Sequence, residues 1–326
     1  MPRVIVADQF GPPEAYEMRD RDPGTPGPGQ IRVAVKAIGI SYVDVLTAMG
    51  KYQVTPPLPF IPGSECAGIV EAVGEGVDRF DVGDAVMGSS FGGIFAEAAT
   101  LRAASFNPVP ACLSLEEAAV LPPSYLTSYH SLVDRARLRP GETLLVLGAA
   151  GATGIAAIQI GKYLGARVIA SASSQEKRDL CLAMGADASV DARSGTWRED
   201  VKAAVGGNGA VDVVFDPIGG EATEAAFRSL GYDGRHLVIG FVGGIPALKT
   251  NLVLVKTASL IGVQIRAFGE KEPEKMARTQ AGMLELAGLG VLKPAIGKVY
   301  PFEDFRAAMK AAFEGHGAGR VVLRVD

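Results

Sequence analysis

At 326 residues with a formal net charge of −4, and with neither a basic block nor an acidic tail, the chain gives no compositional support for a nucleic-acid or anionic-membrane surface. Hydrophobic residues at 48% and charged residues at 21% are a globular balance, and the length predicts two domains rather than one core. The three cysteines, Cys66, Cys112 and Cys181, stand far apart without C-x-x-C spacing, which argues against a disulfide framework or cysteine-rich metal site and fits a reducing, cytoplasmic compartment.

Residues 1–10 carry charge early and lack the long apolar region of a signal peptide, so no secretion leader is expected. From there to about residue 120 the chain predicts short strands at 4–7, 31–38, 68–73 and 85–88, separated by Pro/Gly-rich turns such as 22–29. Many short strands at this spacing predict a barrel-like or sandwich domain. The texture changes near Ser114, where Glu116 and Glu117 open a helix whose positive N-terminal end suits acidic residues. Strands then alternate with helices to about 262. The strands fall at 143–147, 167–170, 188–190, 211–216, 235–240 and 259–263, with helices such as 155–165 and 175–184 between them. This alternation predicts an α/β fold with a doubly wound parallel sheet. Two helical stretches, 273–289 and 302–315, and a last strand at 320–325 complete the tail. Residues 143–161 carry no charge over nearly the length of a membrane span, but Gly148, Gly151 and Gly154 interrupt them. Strand, glycine turn and helix is the better reading, and a soluble protein is expected.

That interrupted stretch is also the first chemical signal. A buried strand runs into Ala149-Ala150-Gly151-Ala152-Thr153-Gly154 and then into a helix. A pyrophosphate needs this arrangement, because it sits on the N–H groups of a helix start and a side chain there would block it. The spacing is Ala149-x-Gly151-x-x-Gly154 rather than a strict G-x-G-x-x-G, and the flanking strand and helix supply the specificity. In NAD enzymes the next strand ends in an acid that holds the ribose hydroxyls. Here it ends in Ser171, Ser173 and Ser174, followed by Lys177 and Arg178, which favours the 2′-phosphate of NADP(H) over NAD. The turns after 211–216 and 235–240 place Asp216, Gly240 and Phe241 along the same crevice.

Four segments then carry a resemblance: Pro62-Gly63-Ser64-Glu65-Cys66-Ala67-Gly68, the 149–154 turn, Phe215-Asp216-Pro217-Ile218-Gly219-Gly220 and Gly319-Arg320-Val321-Val322-Leu323. In this order and spacing the chain resembles the zinc-independent quinone oxidoreductases of the medium-chain dehydrogenase/reductase superfamily. The resemblance implies a GroES-like β-barrel catalytic domain over 1–120, a Rossmann NADP-binding domain over 121–263, a segment 264–326 returning to the catalytic domain, and a homodimer. Zinc relatives have Gly-His-Glu where this chain has Gly63-Ser64-Glu65, and a Cys where Ser41 precedes Asp44. Catalytic zinc needs about three N, S or O ligands, so no metal is expected. None of the three histidines, His130, His236 and His316, has a partner at metal spacing, and each reads as structural or solvated.

Without a Lewis acid, hydride transfer suits an acceptor whose own conjugation spreads the incoming charge, a quinone or an enone. The resemblance places Ser41, Asp44 and Tyr52 at the substrate mouth, with Tyr52 able to relay a proton, and Thr127 near the nicotinamide. Glu65 reads as a holder of loop structure rather than a base, Lys177 matches the family's 2′-phosphate lysine, and Arg266 reads as a surface arginine. Departures are Ser41 for the family's Asn, Leu46 for a second tyrosine, and Ala192, beside Arg193, for a tyrosine that flanks the phosphate. An enoyl reductase in the same class, and a non-catalytic NADPH-binding protein in another, remain as alternatives.

Overall fold

The computed structural model describes residues 1–52, 54–207, 209–315 and 317–326, and His316 lies outside the described residues. The first elements are strands β1 (Arg3–Val6), β2 (Glu17–Asp20) and β3 (Gln30–Ile40), helix α1 (Tyr42–Ala48), and strands β4 (Glu65–Val73), β5 (Ala85–Ser89), β6 (Ala98–Arg102) and β7 (Phe106–Pro108). Helices α2 (Leu115–Ala119) and α3 (Pro122–Tyr129) lead into β8 (Thr143–Leu147), α4 (Ala152–Tyr163), β9 (Arg167–Ala172), α5 (Gln175–Ala183), β10 (Ala188–Asp191) and α6 (Trp197–Val205). Then come β11 (Val211–Asp216), α7 (Gly220–Ser229), β12 (Leu230–Val238), α8 (Asn251–Lys256), β13 (Ser259–Gly262), α9 (Ile265–Lys271) and α10 (Pro273–Gly288). The chain closes with β14 (Ile296–Pro301), α11 (Phe305–Glu314) and β15 (Arg320–Arg324). Two compact units divide it, Met1–Pro123 with Lys293–Asp326, and Ser124–Leu292.

The first unit is organised by β3, whose Ile31, Val33, Val35 and Ala37 alternate inward in the period-2 pattern of a half-buried strand. One edge of β3 pairs along its length with β4; the other edge is shared, its first half by β6 and its second half by β15. The sheet runs β14-β15-β3-β4-β5-β7. Beneath it lies a core that includes Tyr16, Phe95, Phe106, Phe302 and Phe305.

The second unit is a six-stranded sheet in the order β10-β9-β8-β11-β12-β13, parallel throughout. This is the doubly wound order in which the chain leaves the centre at β8, builds to one edge, and returns to start β11 on the other side of β8. The central strand β8 is buried on both faces, as Thr-Leu-Leu-Val-Leu predicts.

Three expectations need correction. The returning segment begins at Lys293 rather than at 264, because α9 and α10 pack within the second unit. Phe268 stacks on His130 at 3.9 Å between ring centres, and the Thr279 hydroxyl donates to Asp134 at 2.7 Å. Between the expected strand 259–263 and the expected helix 273–289 lies a further helix, α9, which contains Gly269 and which the Gln264 side chain caps by accepting from the Ala267 N–H. Strand β12 starts at Leu230 rather than 235, since Gly231, Asp233 and Gly234 read as a turn but belong to an irregular strand start.

Candidate functional site

The carboxyl ends of β9, β8, β11 and β12 lie side by side and carry the predicted nucleotide residues. At the end of β8, Gly148 adopts φ +55°, and a Cβ there would approach Ile218 to 2.6 Å, so the turns after β8 and β11 touch. The Ala149 N–H donates to the Ser171 carbonyl at 3.1 Å, which ties the glycine turn to the end of β9. Gly151 is the N-cap of α4, and the first bond inside the helix runs from Ile155 N–H to Gly151 O. By helix geometry the N–H groups of Ala152, Thr153 and Gly154 form the first turn, whose donors have no intrahelical acceptor. Ala150, Gly151, Ala152 and Thr153 keep solvent access, while Gly154 is buried. A Cβ on Gly154 would lie 2.5 Å from the Ala149 carbonyl, so only glycine lets α4 start this close to the turn.

The second strand tip is less simple than its sequence. Ser174 caps α5 by accepting from the Lys177 N–H, and Ser173 and Lys177 are half-buried beside it. Ser171 turns inward: it is 2% exposed and its hydroxyl accepts from Trp197 Nε1 at 2.9 Å. Its contribution to the crevice is therefore its carbonyl on the glycine turn rather than its side chain. Arg178 is also committed elsewhere, to Asp191 at 3.0 Å, and does not form a pair with Lys177. Ala192 and Arg193 are exposed.

Asp216 is a fastener. One oxygen accepts from the N–H groups of Ile218 and Gly219 at 2.9 and 2.8 Å; the other accepts from Thr223 Oγ1 at 2.6 Å and faces His236 Nε2 at 2.9 Å. Burial works to raise its pKa, but His236, the Gly219 amide and Thr223 together hold the carboxyl below its ordinary value. The turns after β11 and β12 are then zipped by Gly220 N–H to Gly244 O and Gly243 N–H to Ile218 O, both 2.7 Å. Gly240 is half-buried and Phe241 is 45% exposed at this rim. An open cleft of about 610 Å³ beside these turns is lined by Arg198, Glu221, Arg228 and 243–248, and by none of the predicted cofactor residues.

Thr127 sits half-buried on α3. Two contacts tie that helix to α4: Tyr125 Oη donates to Gln159 Oε1 at 3.1 Å, and Ser128 Oγ lies 2.8 Å from the Thr153 carbonyl. Sequence reasoning missed Tyr125, Ser128 and Gln159, since each partner is 25 or more residues away.

In the first unit, Ser41 and Asp44 form a capping box at the start of α1. The Ser41 hydroxyl donates to Asp44 Oδ2 at 2.6 Å, and the Ser41 N–H to the same oxygen at 2.8 Å. The S-x-x-D spacing carried this signal. Next to it, Glu65 begins β4, with Arg320 of β15 bonded to its Oε1 and, at 3.2 Å, to the Ile40 carbonyl. Tyr52 is half-buried and takes no part in these hydrogen bonds. Arg266 pairs with Glu270 on its own helix at 2.9 Å. Among the described residues no group of three His, Cys, Asp or Glu side chains is placed to hold a metal, and no helix is long and apolar enough to cross a membrane.

Residues 27–111 match a family described as alcohol dehydrogenase GroES-like domain, and residues 152–281 one described as zinc-binding dehydrogenase. Quinone oxidoreductase-like protein 2 of Mus musculus is 36% identical over 91% of this chain and 85% of its own. A probable oxidoreductase from Mycobacterium abscessus, known from its crystal structure, superposes with a TM-score of 0.90 at 36% identity, covering 99% of this chain and 98% of that one. The quinone oxidoreductase from Thermus thermophilus, crystallised also in complex with NADPH, superposes with a TM-score of 0.83 at 31% identity, covering 99% of this chain and 99% of that one. Fold, glycine turn and matches together define an oxidoreductase of the medium-chain dehydrogenase/reductase superfamily, with a GroES-like domain and a Rossmann domain. Within that superfamily the chain belongs to the quinone oxidoreductase family.

Proposed function

We propose that this protein is a zinc-independent NADPH-dependent oxidoreductase that reduces a quinone or another conjugated carbonyl. The observation that carries the reading is the β8–turn–α4 start: a backbone-lined cradle, closed to a Cβ at Gly154, at the point where the strand order reverses. These residues fit a dinucleotide. Ala152, Thr153 and Gly154 would hold its pyrophosphate by their N–H groups, Asp216 would keep the adjoining turn in place, and Lys177 would meet a 2′-phosphate. Gly240, Phe241 and Thr127 would border the remainder. Bound there, a nicotinamide supplies a hydride. The NADPH complex of the Thermus thermophilus relative supports the choice of cofactor.

Although one matching family is described as zinc-binding, hydroxyls stand at Ser41 and Ser64, the positions where zinc relatives place ligands. That donor set suits an acceptor able to spread negative charge without a metal. Ser41 and Asp44 would shape the substrate side, and Tyr52 would bond a substrate oxygen. We place the protein in the cytoplasm, as a homodimer in which a second copy covers β13. That strand is the free edge of its sheet, with Leu260 exposed and the exposed Leu254 and Val255 of α8 nearby in sequence. Identical edges related by a two-fold axis are antiparallel and complement each other's backbone donors and acceptors.

Following NADPH and NADH absorbance with a quinone, an enone and a crotonyl-type thioester tests the function. Oxidation of NADPH with the quinone or the enone, faster than of NADH, is expected. Oxidation of neither cofactor with any acceptor overturns the enzyme reading, faster turnover of NADH overturns the cofactor, and stoichiometric zinc in the purified protein overturns the metal assignment.

A further inference from the structure

Across the pairing of β3 with β4, Gly39 stands opposite Glu65, and a Cβ at 39 would lie 2.6 Å from Glu65 Oε1. The missing side chain opens the slot in which Glu65 lies 1% exposed. Its Oε1 is bonded to Arg320, whereas its Oε2 is buried with no hydrogen-bond partner among the described residues. Asp44 is 5% exposed in the same place. Among the described residues, the charged and titratable groups facing the slot are Asp44 from α1, Glu65 and Cys66 from β4, and Arg320 from β15. Burial, with Glu65 adding to it, pushes the Cys66 thiol up to about 12, so it stays neutral. Among these described groups two carboxylates stand against one guanidinium, an excess of one negative charge at side chains 5% and 1% exposed. Proteins relieve such a charge by taking up a proton.

The slot also has an outlet. Ser64, which precedes Glu65 and bonds Asp44, is half-buried, as is Ser41. We propose that Asp44 and Glu65 hold one proton between them, and that the Ser64 hydroxyl passes it to the oxyanion formed when a conjugated carbonyl accepts a hydride. The second half rests on the function proposed above; the first half does not. Burial pushes the Glu65 carboxyl up to about 7, with Asp44 adding to the shift and Arg320 opposing it, and burial raises Asp44 despite the bonds from Ser41 and Ser64. The two titrate as a pair.

The step balances. The hydride brings two electrons and one hydrogen to the substrate carbonyl, whose π bond becomes an oxyanion. That oxygen takes the Ser64 proton, and Ser64 is refilled from the carboxyl pair, which recovers its proton from solvent. When the proton lies on Asp44, its O–H donates to Ser64 and frees that hydroxyl to donate outward. For a quinone the sum is quinone, NADPH and H⁺ giving hydroquinone and NADP⁺.

The first half is tested by infrared titration of the ligand-free protein. A protonated-carboxyl C=O band at pH 6 is expected, fading with a midpoint near neutral pH and absent from both Glu65→Gln and Asp44→Asn. Either substitution leaves one carboxylate against one guanidinium, which ionises. No such band in the wild type, or a band surviving in either variant, overturns the shared proton. For the relay, Ser64→Ala should lower kcat about a hundredfold and enlarge the solvent deuterium isotope effect. Ser64→Thr should restore most of the rate. NADPH affinity, read from the fluorescence of the sole tryptophan, Trp197, should stay unchanged. An unchanged kcat and isotope effect in Ser64→Ala overturns the relay. If the band behaves as expected but no acceptor oxidises NADPH, the relay falls with the function and the shared proton stands.

Discussion

Asp216 and Glu65 are both buried acids, and their environments push them in opposite directions. Asp216 accepts four hydrogen bonds in all, from Ile218, Gly219, Thr223 and His236, so its ionised form is the one the fold prefers. Its folded pKa lies below the ordinary 3.8. The stability it contributes is therefore present above that value and is lost as pH falls through the lower, folded pKa. Asp216→Asn should cost about 3–5 kcal/mol, because it leaves buried partners mismatched, and urea unfolding at neutral pH measures it. Glu65 is the reverse case. Its pKa rises from 4.5 to about 7, so the folded state binds the extra proton and stability declines as pH climbs across that window. In Glu65→Gln this part of the decline should vanish, which urea midpoints collected from pH 5 to pH 8 would reveal as a flatter profile.

At the scale of elements, α4 is held from three directions. Its start is closed by Gly154 against the β8 turn, its flank is tied to α3 through Tyr125–Gln159 and Ser128–Thr153, and Gly161 lets it press on Leu144 of β8. A helix so anchored presents its first-turn N–H groups to an anion without further ordering, which is the preorganisation that tight binding requires. Strand β13 is the opposite kind of element, short and unpaired on one side, with Leu260 48% exposed. Natural edges are guarded by charge, and Lys is a common guard. Leu260→Lys should accordingly shift the proposed dimer to monomer while leaving the fold intact, as light scattering after size exclusion and circular dichroism would record. A dimer that persists unchanged would move the interface elsewhere.

For the whole molecule, a ligand that binds only the folded state stabilises it by mass action, about 2.7 kcal/mol at a hundred times its Kd. NADPH should raise the midpoint of thermal unfolding more than NADH at equal concentration. Lys177→Ala should shrink the NADPH shift and leave the NADH shift in place, as calorimetry with each cofactor would display. Equal shifts from both cofactors in the wild type would place the 2′-phosphate outside the reach of Lys177.

The alternation of strands and helices from Ser114 onward, the β8 strand to the residue and the glycine turn were legible because each is written in consecutive residues: a run of apolar side chains, a change of period, a glycine where a helix must begin close to its strand. The roles of Ser171, Arg178 and Glu65 were not. Ser171 reads as a crevice hydroxyl until Trp197, 26 residues on, claims it, and Arg178 reads as a partner of Lys177 until β10 brings Asp191 beside it. Glu65 meets Arg320 across 255 residues of chain, because β15 returns to the edge of β3 that β4 does not occupy. Local periodicity thus decided that there would be a nucleotide-type α/β sheet with an anion-ready helix start. Only the tertiary structure, by closing distant strands on one another and shutting out water, decided which acids are buried and which partners each of them meets, Asp216 four donors and Glu65 the guanidinium of Arg320.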